Sequence, residues 1–219
     1  MRDGRGRMVS SLKARGCIRS PEVERAMSAV PRHLFVPPGV QGEAYADAPL
    51  PIGEGQTISA PHMVAMMAEA LELRPGHKVL EIGAGSGYNA AVIAELVGKE
   101  GIVVTMERHP SLAEAARTNL RKAGHGEVKV LTGDGSLGHE DEAPYDRIAV
   151  TCGAPSVPRT LLDQLKDGGV MVIPVGGLSY QSLLRIRKVG HNIETEDLCS
   201  VMFVPLLGER GHHLPDEMG

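Results

Sequence analysis

Three glycines spaced two apart, Gly83, Gly85 and Gly87, follow the apolar run Val79–Ile82 and stand where a strand would turn into a helix. Glycine there lets the backbone turn sharply and lets a ligand approach the main chain closely. The full run is Glu81-Ile82-Gly83-Ala84-Gly85-Ser86-Gly87, and a bare strand-to-helix turn is its competing explanation. Glu107 comes about 20 residues later, at the end of the next apolar run, where a carboxylate can accept both hydroxyls of a ribose and repel a 2′-phosphate. Gly133-Asp134-Gly135 and Thr151 end two further runs. An Asp-Gly turn needs no ligand, yet Asp134 is also suitably placed to accept from an adenine amino group. Position 88, where a dinucleotide fingerprint would have its third glycine, is Tyr88, and no P-loop lysine is present, so the pattern disfavours phosphate-bearing ligands.

These residues need a scaffold that brings strand ends to one rim. Short β-branched runs near 78–82, 102–106, 128–131, 146–151 and 169–173 alternate with helical patterns near 88–97, 110–123 and 158–166. That alternation predicts an α/β fold with a doubly wound, mostly parallel sheet. Runs at 182–188 and 196–204 lack an intervening helix and predict an antiparallel end, giving seven strands. Ligands of such sheets gather beyond the strands' carboxyl ends, where the glycine loop, Glu107, Asp134 and Thr151 all fall. Upstream, residues 8–30 read as two short helices, the second capped by Ser20-Pro21. Residues 31–59 read as a long ordered loop too rich in Pro and Gly for a regular element, and 61–71 as a helix. Loops of that length are more often functional than idle.

The chain has 219 residues, 42% of them hydrophobic and 23% charged, which suits one folded domain. The expected division is a mobile stretch at 1–7, one domain over 8–208 and a disordered tail at 209–219. Within that domain, 8–72 form the helices and covering loop and 73–208 the cofactor-binding sheet. A net charge of −4 offers no overall basic field, so nucleic acid is not expected as a partner. Three widely spaced cysteines, Cys17, Cys152 and Cys199, form no C-x-x-C pair, and the first residues contain no long apolar run. A cytoplasmic protein without a membrane segment, and a monomer, is expected.

The glycine pattern resembles the first motif of class I methyltransferases, where the loop holds the methionine end of S-adenosylmethionine and the acidic residue holds the ribose. A longer likeness lies upstream. Tyr45-Ala46-Asp47-Ala48-Pro49-Leu50-Pro51-Ile52-Gly53-Glu54-Gly55-Gln56-Thr57-Ile58-Ser59-Ala60-Pro61 is similar to the signature of protein-L-isoaspartate O-methyltransferases. Ala143-Pro144-Tyr145-Asp146-Arg147-Ile148, Gly168–Gly176 and Phe203-Val204-Pro205-Leu206 extend the likeness over about 8–208. Thr151-Cys152-Gly153-Ala154 departs from the run of alanines usual in that family, which bears on pocket shape. The resemblance implies a Rossmann-like methyltransferase that esterifies the α-carboxyl of L-isoaspartyl residues in damaged proteins and peptides. The ester would be lost through a succinimide, regenerating a normal aspartyl bond. It implies cofactor contacts at Glu81, Gly83, Ala84, Gly85, Ser86, Gly87, Asn89, Glu107, Arg108, Gly133, Asp134, Gly135 and Thr151, with S-adenosylhomocysteine as product. It implies substrate contacts at Ile52, Gly53, Thr57, Ile58, Ser59, Cys152 and Val204, and no metal.

The chemistry of the reaction agrees with what the chain lacks. A carboxylate with a pKa of about 4 is already ionised at neutral pH, so transfer onto it needs orientation and no general base. No Ser-His-Asp set, paired-carboxylate site or metal cluster can be assembled here, and His125, His191, His212 and His213 make no ligand motif. Ser59 is the candidate catalytic residue, its hydroxyl orienting the carboxylate as the motif implies, although its place before Pro61 equally suits a helix N-cap. His62 is a minor substrate candidate. The cofactor half alone leaves two alternatives, a class I methyltransferase for RNA or a small metabolite and a non-catalytic binding module.

Overall fold

The computed structural model describes residues 2–190 and 192–213. Its first element, α1 (Arg2–Ala14), is a helix from its start, so the stretch before residue 8 that was expected to be mobile is instead its first half. Helix α2 (Pro21–Ala29) begins as the sequence predicts: the Ser20 side chain accepts the Val23 N–H at 3.3 Å, and Val23, Ala26 and Met27 are buried. Two short 3-10 turns, 32–35 and 38–43, follow.

Residues 50–58 are not the irregular loop that their prolines and glycines suggest. Strands β1 (Leu50–Gly53) and β2 (Gln56–Ile58) form an antiparallel hairpin, with Pro51 opposite Thr57. Gly53, Glu54 and Gly55 all have positive φ and close the turn. Pro51 is tolerated because a two-stranded ribbon always leaves one side of each strand unpaired. Helix α3 (Pro61–Ala70) then packs Val64, Ala65, Met67 and Ala68 inward, while Met63 and Met66 are only partly covered.

The main sheet comprises β3 (Lys78–Ile82), β4 (Ile102–Glu107), β5 (Lys129–Thr132), β6 (Tyr145–Val150), β7 (Leu165–Gly176), β8 (Gln181–Val189) and β9 (Asn192–Val201). Its order is β5-β4-β3-β6-β7-β8-β9, parallel up to β7 and antiparallel beyond. Helices α4 (Tyr88–Val97), α5 (Pro110–Ala123) and α6 (Arg159–Gln164) make the crossovers. Successive strand residues serve two cores: Val79, Val103 and Ala149 join the α1–α5 side, whereas Leu80, Val104 and Ile148 join the α6 side.

Three boundaries differ from expectation. Helix α6 stops at Gln164 because Leu165 already pairs with Tyr145, so β7 is longer than 169–173. Strand β9 starts at Asn192 and ends at Val201, because the chain then leaves the sheet and runs along its rim. Of the tail expected to be disordered, 209–213 is placed: Glu209 N donates to Asp134 Oδ2 at 2.7 Å, Arg210 N donates to Ser136 Oγ, and His212 pairs with Leu207. Residues 214–219 lie outside the described residues.

Candidate active site

A cleft opens beyond the carboxyl ends of β3, β4 and β6, where ligands of such sheets gather. Its floor is the glycine loop. Gly83, Gly85 and Gly87 have φ of +96°, +52° and +88°. A Cβ on Gly83 would lie 2.5 Å from Thr151 Oγ1, and one on Gly85 would lie 3.2 Å from Ile52 Cδ1. The loop is therefore pressed between the end of β6 and the β1–β2 hairpin, and only bare backbone fits. Thr151 Oγ1 is 2.6 Å from the Gly83 carbonyl, to which it donates, and Asn119 Nδ2 donates to the Ser86 carbonyl at 3.1 Å.

Glu107 is only 6% exposed. Its Oε2 accepts the Gly85 N–H at 2.8 Å and its Oε1 the His109 N–H at 3.0 Å. An ionised carboxylate offers about four acceptor positions, so two remain for a diol in the cleft. The same contact explains the ligand class. A loop N–H already committed to a carboxylate, with that negative charge beside it, is a poor cradle for phosphate.

Glu81 does not reach the cleft. It is fully buried beneath the loop, paired with Thr105 on β4 and accepting from Asn89 Nδ2 at 2.8 Å. Burial pushes its carboxyl up to about 7, with Glu107 adding to the rise against the two hydrogen bonds. Its part is to tie β3, β4 and the start of α4 together. Gly87 is likewise a left-handed N-cap for α4, packed against Leu120, and does not line the cleft.

Asp134 differs more from the sequence reading. Its carboxylate accepts from Ser136 N, Ser136 Oγ and Glu209 N, and Gly208 is packed so closely that a Cβ there would overlap it. Burial alone would raise its pKa, but these donors and the charge of Arg108 hold it below the ordinary value. Gly135 lines the cleft whereas Gly133 and Asp134 stand beside it, and Asp134 fastens the C-terminal segment.

The cleft is also lined by Thr57, Ile58 and Ser59 from β2 and the chain after it, and by Cys152 and Val204. Ile52 covers Gly85 from above, and neither Ile52 nor Gly53 lines the cleft. Ser59 does not cap α3: the N-cap is Ala60, with no side-chain bond, and no hydrogen-bond partner of Ser59 Oγ is found among the described residues. His62 is not in the lining either; its N–H and Nδ1 both meet Asp47 Oδ1, at 2.8 and 2.9 Å, and Arg15 holds the other oxygen of Asp47. Burial would raise Asp47, yet the bonds from His62 and Arg15 outweigh it and its pKa falls below normal. Burial, with Glu107 and Glu81, pushes the Cys152 thiol far upward. Sequence reasoning passed over Gln56, His109 and Leu207, which also line the cleft. The only signals for them were neighbours in sequence: the hairpin, Glu107 and the Val204-Pro205-Leu206 run.

A family model for protein-L-isoaspartate (D-aspartate) O-methyltransferases matches residues 3–211. The chain belongs to this family. Among curated members, a protein-L-isoaspartate O-methyltransferase from Methanopyrus kandleri is 57% identical over 217 residues, covering 98% of this chain and 96% of its relative. Another, from Methanosarcina mazei, is 58% identical over 197 residues, covering 90% and 81%. Among solved structures, a Plasmodium falciparum protein-L-isoaspartate O-methyltransferase in complex with S-adenosyl-L-homocysteine superposes with a TM-score of 0.83 at 29% identity, covering 91% of this chain and 96% of that one. The residues matched by the family model include those of the hairpin and of the segment after β9 up to residue 211.

Proposed function

We propose that this chain transfers a methyl group from S-adenosylmethionine to the α-carboxyl of L-isoaspartyl residues in damaged proteins and peptides. The observation that carries this reading is the placement of Ser59: a hydroxyl without a partner among the described residues lines the same cleft as the glycine loop and the Glu107 carboxylate. When bound, the cofactor supplies a methyl group already activated on a sulfonium. Gly83, Ala84, Gly85 and Ser86 would hold its amino-acid end by backbone contact, and Glu107 would accept its ribose hydroxyls. Arg108, Gly135 and Thr151 would bound the rest, and Asn89 and Glu81 would keep the loop in place from beneath.

The acceptor needs no proton removed, because its carboxylate is ionised well below neutral pH. Ser59 donates to one carboxylate oxygen and leaves the other directed inward, while Thr57, Ile58 and Val204 exclude water around it. Cys152 stays a neutral thiol, since burial and two nearby carboxylates oppose its ionisation, and so does not compete as a nucleophile.

Purified protein incubated with methyl-labelled S-adenosylmethionine and matched isoaspartyl, aspartyl and RNA acceptors tests the reading. The expected outcome is base-labile label on the isoaspartyl peptide alone. Label on RNA, or on both peptides equally, contradicts it.

A further inference from the structure

Most apolar side chains of this protein are buried, but three large ones stand exposed at the β7–β8 turn and just after β9. Leu178 is 54% exposed, Tyr180 62% and Met202 78%. Scattered exposed apolar residues are ordinary on a protein surface. Tyr180 and Met202 are not scattered. Gln181 pairs with Val201 and Ser182 with Ser200, so one further step along the β8–β9 ladder sets Tyr180 opposite Met202. Tyr180 Oη lies 2.8 Å from Ser200 Oγ, which puts Tyr180 on the sheet face shared by Ser200 and Met202. Val201 and Phe203 pack into the opposite core, whereas Val204 packs with the core on the Met202 side and lines the cleft. The shelf is therefore continuous with the cleft wall, two residues from Val204.

It is also rigidly held. Gln181, 1% exposed, donates to the Gly177 carbonyl at 2.7 Å and accepts the Phe203 N–H at 2.7 Å. One buried amide thus fastens the β7–β8 turn to the chain after β9. Tyr180 has its hydroxyl satisfied and its ring in solvent, and tyrosine and methionine are enriched where proteins bind partners. A hydroxyl bond that fixes the ring lowers the ordering cost of binding against it.

We propose that Tyr180 and Met202 form a docking shelf for an apolar side chain of the substrate polypeptide, a few residues along the chain from the isoaspartyl residue. The inference rests on the reading of the cleft as an isoaspartyl methyltransferase site. It adds a specificity element: among damaged sites, those flanked by a leucine- or phenylalanine-like residue are captured in preference to those flanked by polar residues. Because the shelf lies outside the cleft lining, it acts on capture and leaves the transfer step alone.

The test compares pairs of isoaspartyl peptides, each pair identical except for Phe or Ser at one position two, three or four residues from the damaged site on either side. In the wild-type protein the better Phe peptide is expected to show a KM about 5- to 10-fold lower than its Ser partner with equal kcat, the range expected from about 1–1.4 kcal/mol of partly buried apolar surface. In a Tyr180→Ser/Met202→Ser protein the two KM values should converge, with kcat for the Ser peptide unchanged. Equal KM values for every wild-type pair overturn the proposal, as does a preference that survives the double substitution. Should the double variant fail to fold, judged by thermal melting, Met202→Gln alone replaces it with the same expectation at smaller size. A concentration-dependent dimer dissolved by the substitutions would assign the shelf to self-association and overturn the proposal. Absence of methylation on any isoaspartyl peptide contradicts the functional reading itself, a result distinct from methylation without flank preference.

Discussion

At the scale of single residues, two side chains bear most of the account. The Ser59 hydroxyl has no partner among the described residues, so Ser59→Ala removes a donor without opening a cavity. Hydrogen bonds to a charged group contribute about 1.5–3 kcal/mol. If that contact is made chiefly in transfer, kcat on an isoaspartyl peptide should fall by about 10- to 100-fold. Titration with S-adenosylhomocysteine should give an affinity within about 2-fold of wild type, since less than about 0.4 kcal/mol separates such values. Equal losses in cofactor affinity and kcat would mean that Ser59 supports the loop and not the acceptor. Glu81 gives a pH signature. Burial lifts its carboxyl to about 7 in the folded protein from an ordinary value of 4.5. The folded state therefore binds the extra proton between those values, and stability falls as pH rises through that window. Glu81→Gln keeps the shape and removes the titration, so its melting temperature relative to wild type should rise from pH 5 to pH 8. A difference that stays constant with pH would show that Glu81 is not titrating there.

At the scale of elements, the β1–β2 hairpin is the piece that converts a cofactor-binding sheet into an enclosed site. Ile52 packs over Gly85, where even a methyl group would crowd it. Ile52→Ala strips about three methylene equivalents from this cover, at about 0.8 kcal/mol each when fully buried. Because Ile52 is only partly buried, S-adenosylhomocysteine should dissociate about 5- to 20-fold faster in stopped-flow chase, with a small change in melting temperature. An unchanged dissociation rate would remove the hairpin's covering role. This hairpin was also the least legible element. Helices α4 and α5 were readable residue for residue because apolar periodicity and glycine boundaries coincide there. The hairpin has no alternation to read: Pro51, Gly53 and Gly55 suggest an ordered but irregular loop, and the regular pairing emerges only with the left-handed φ values at 53–55 that close the turn. Boundaries at α6, β7 and β9 were missed because they depend on pairing partners distant in sequence, such as Leu165 with Tyr145.

At the scale of the whole molecule, the rim formed by β3, β4 and β6 follows from the alternation of strands and helices, and Gly83, Glu107 and Thr151 reach the cleft as that alternation predicts. Asp134 does not, because the C-terminal segment occupies its carboxylate through Glu209, a contact with no local signal in either stretch of chain. Identity of the acceptor was legible only through the long 45–61 segment and not through the sheet, which many methyltransferases share. The physical claim uniting cleft, hairpin and rim is that orientation alone suffices, because the acceptor oxygen is already an anion. The pH dependence of single-turnover methylation of an isoaspartyl peptide tests that claim most directly. The account predicts a rate constant flat from about pH 6 to pH 8.5, since the acceptor's pKa lies near 4. A rate that climbs about tenfold per pH unit through neutrality would reveal a required deprotonation and contradict it.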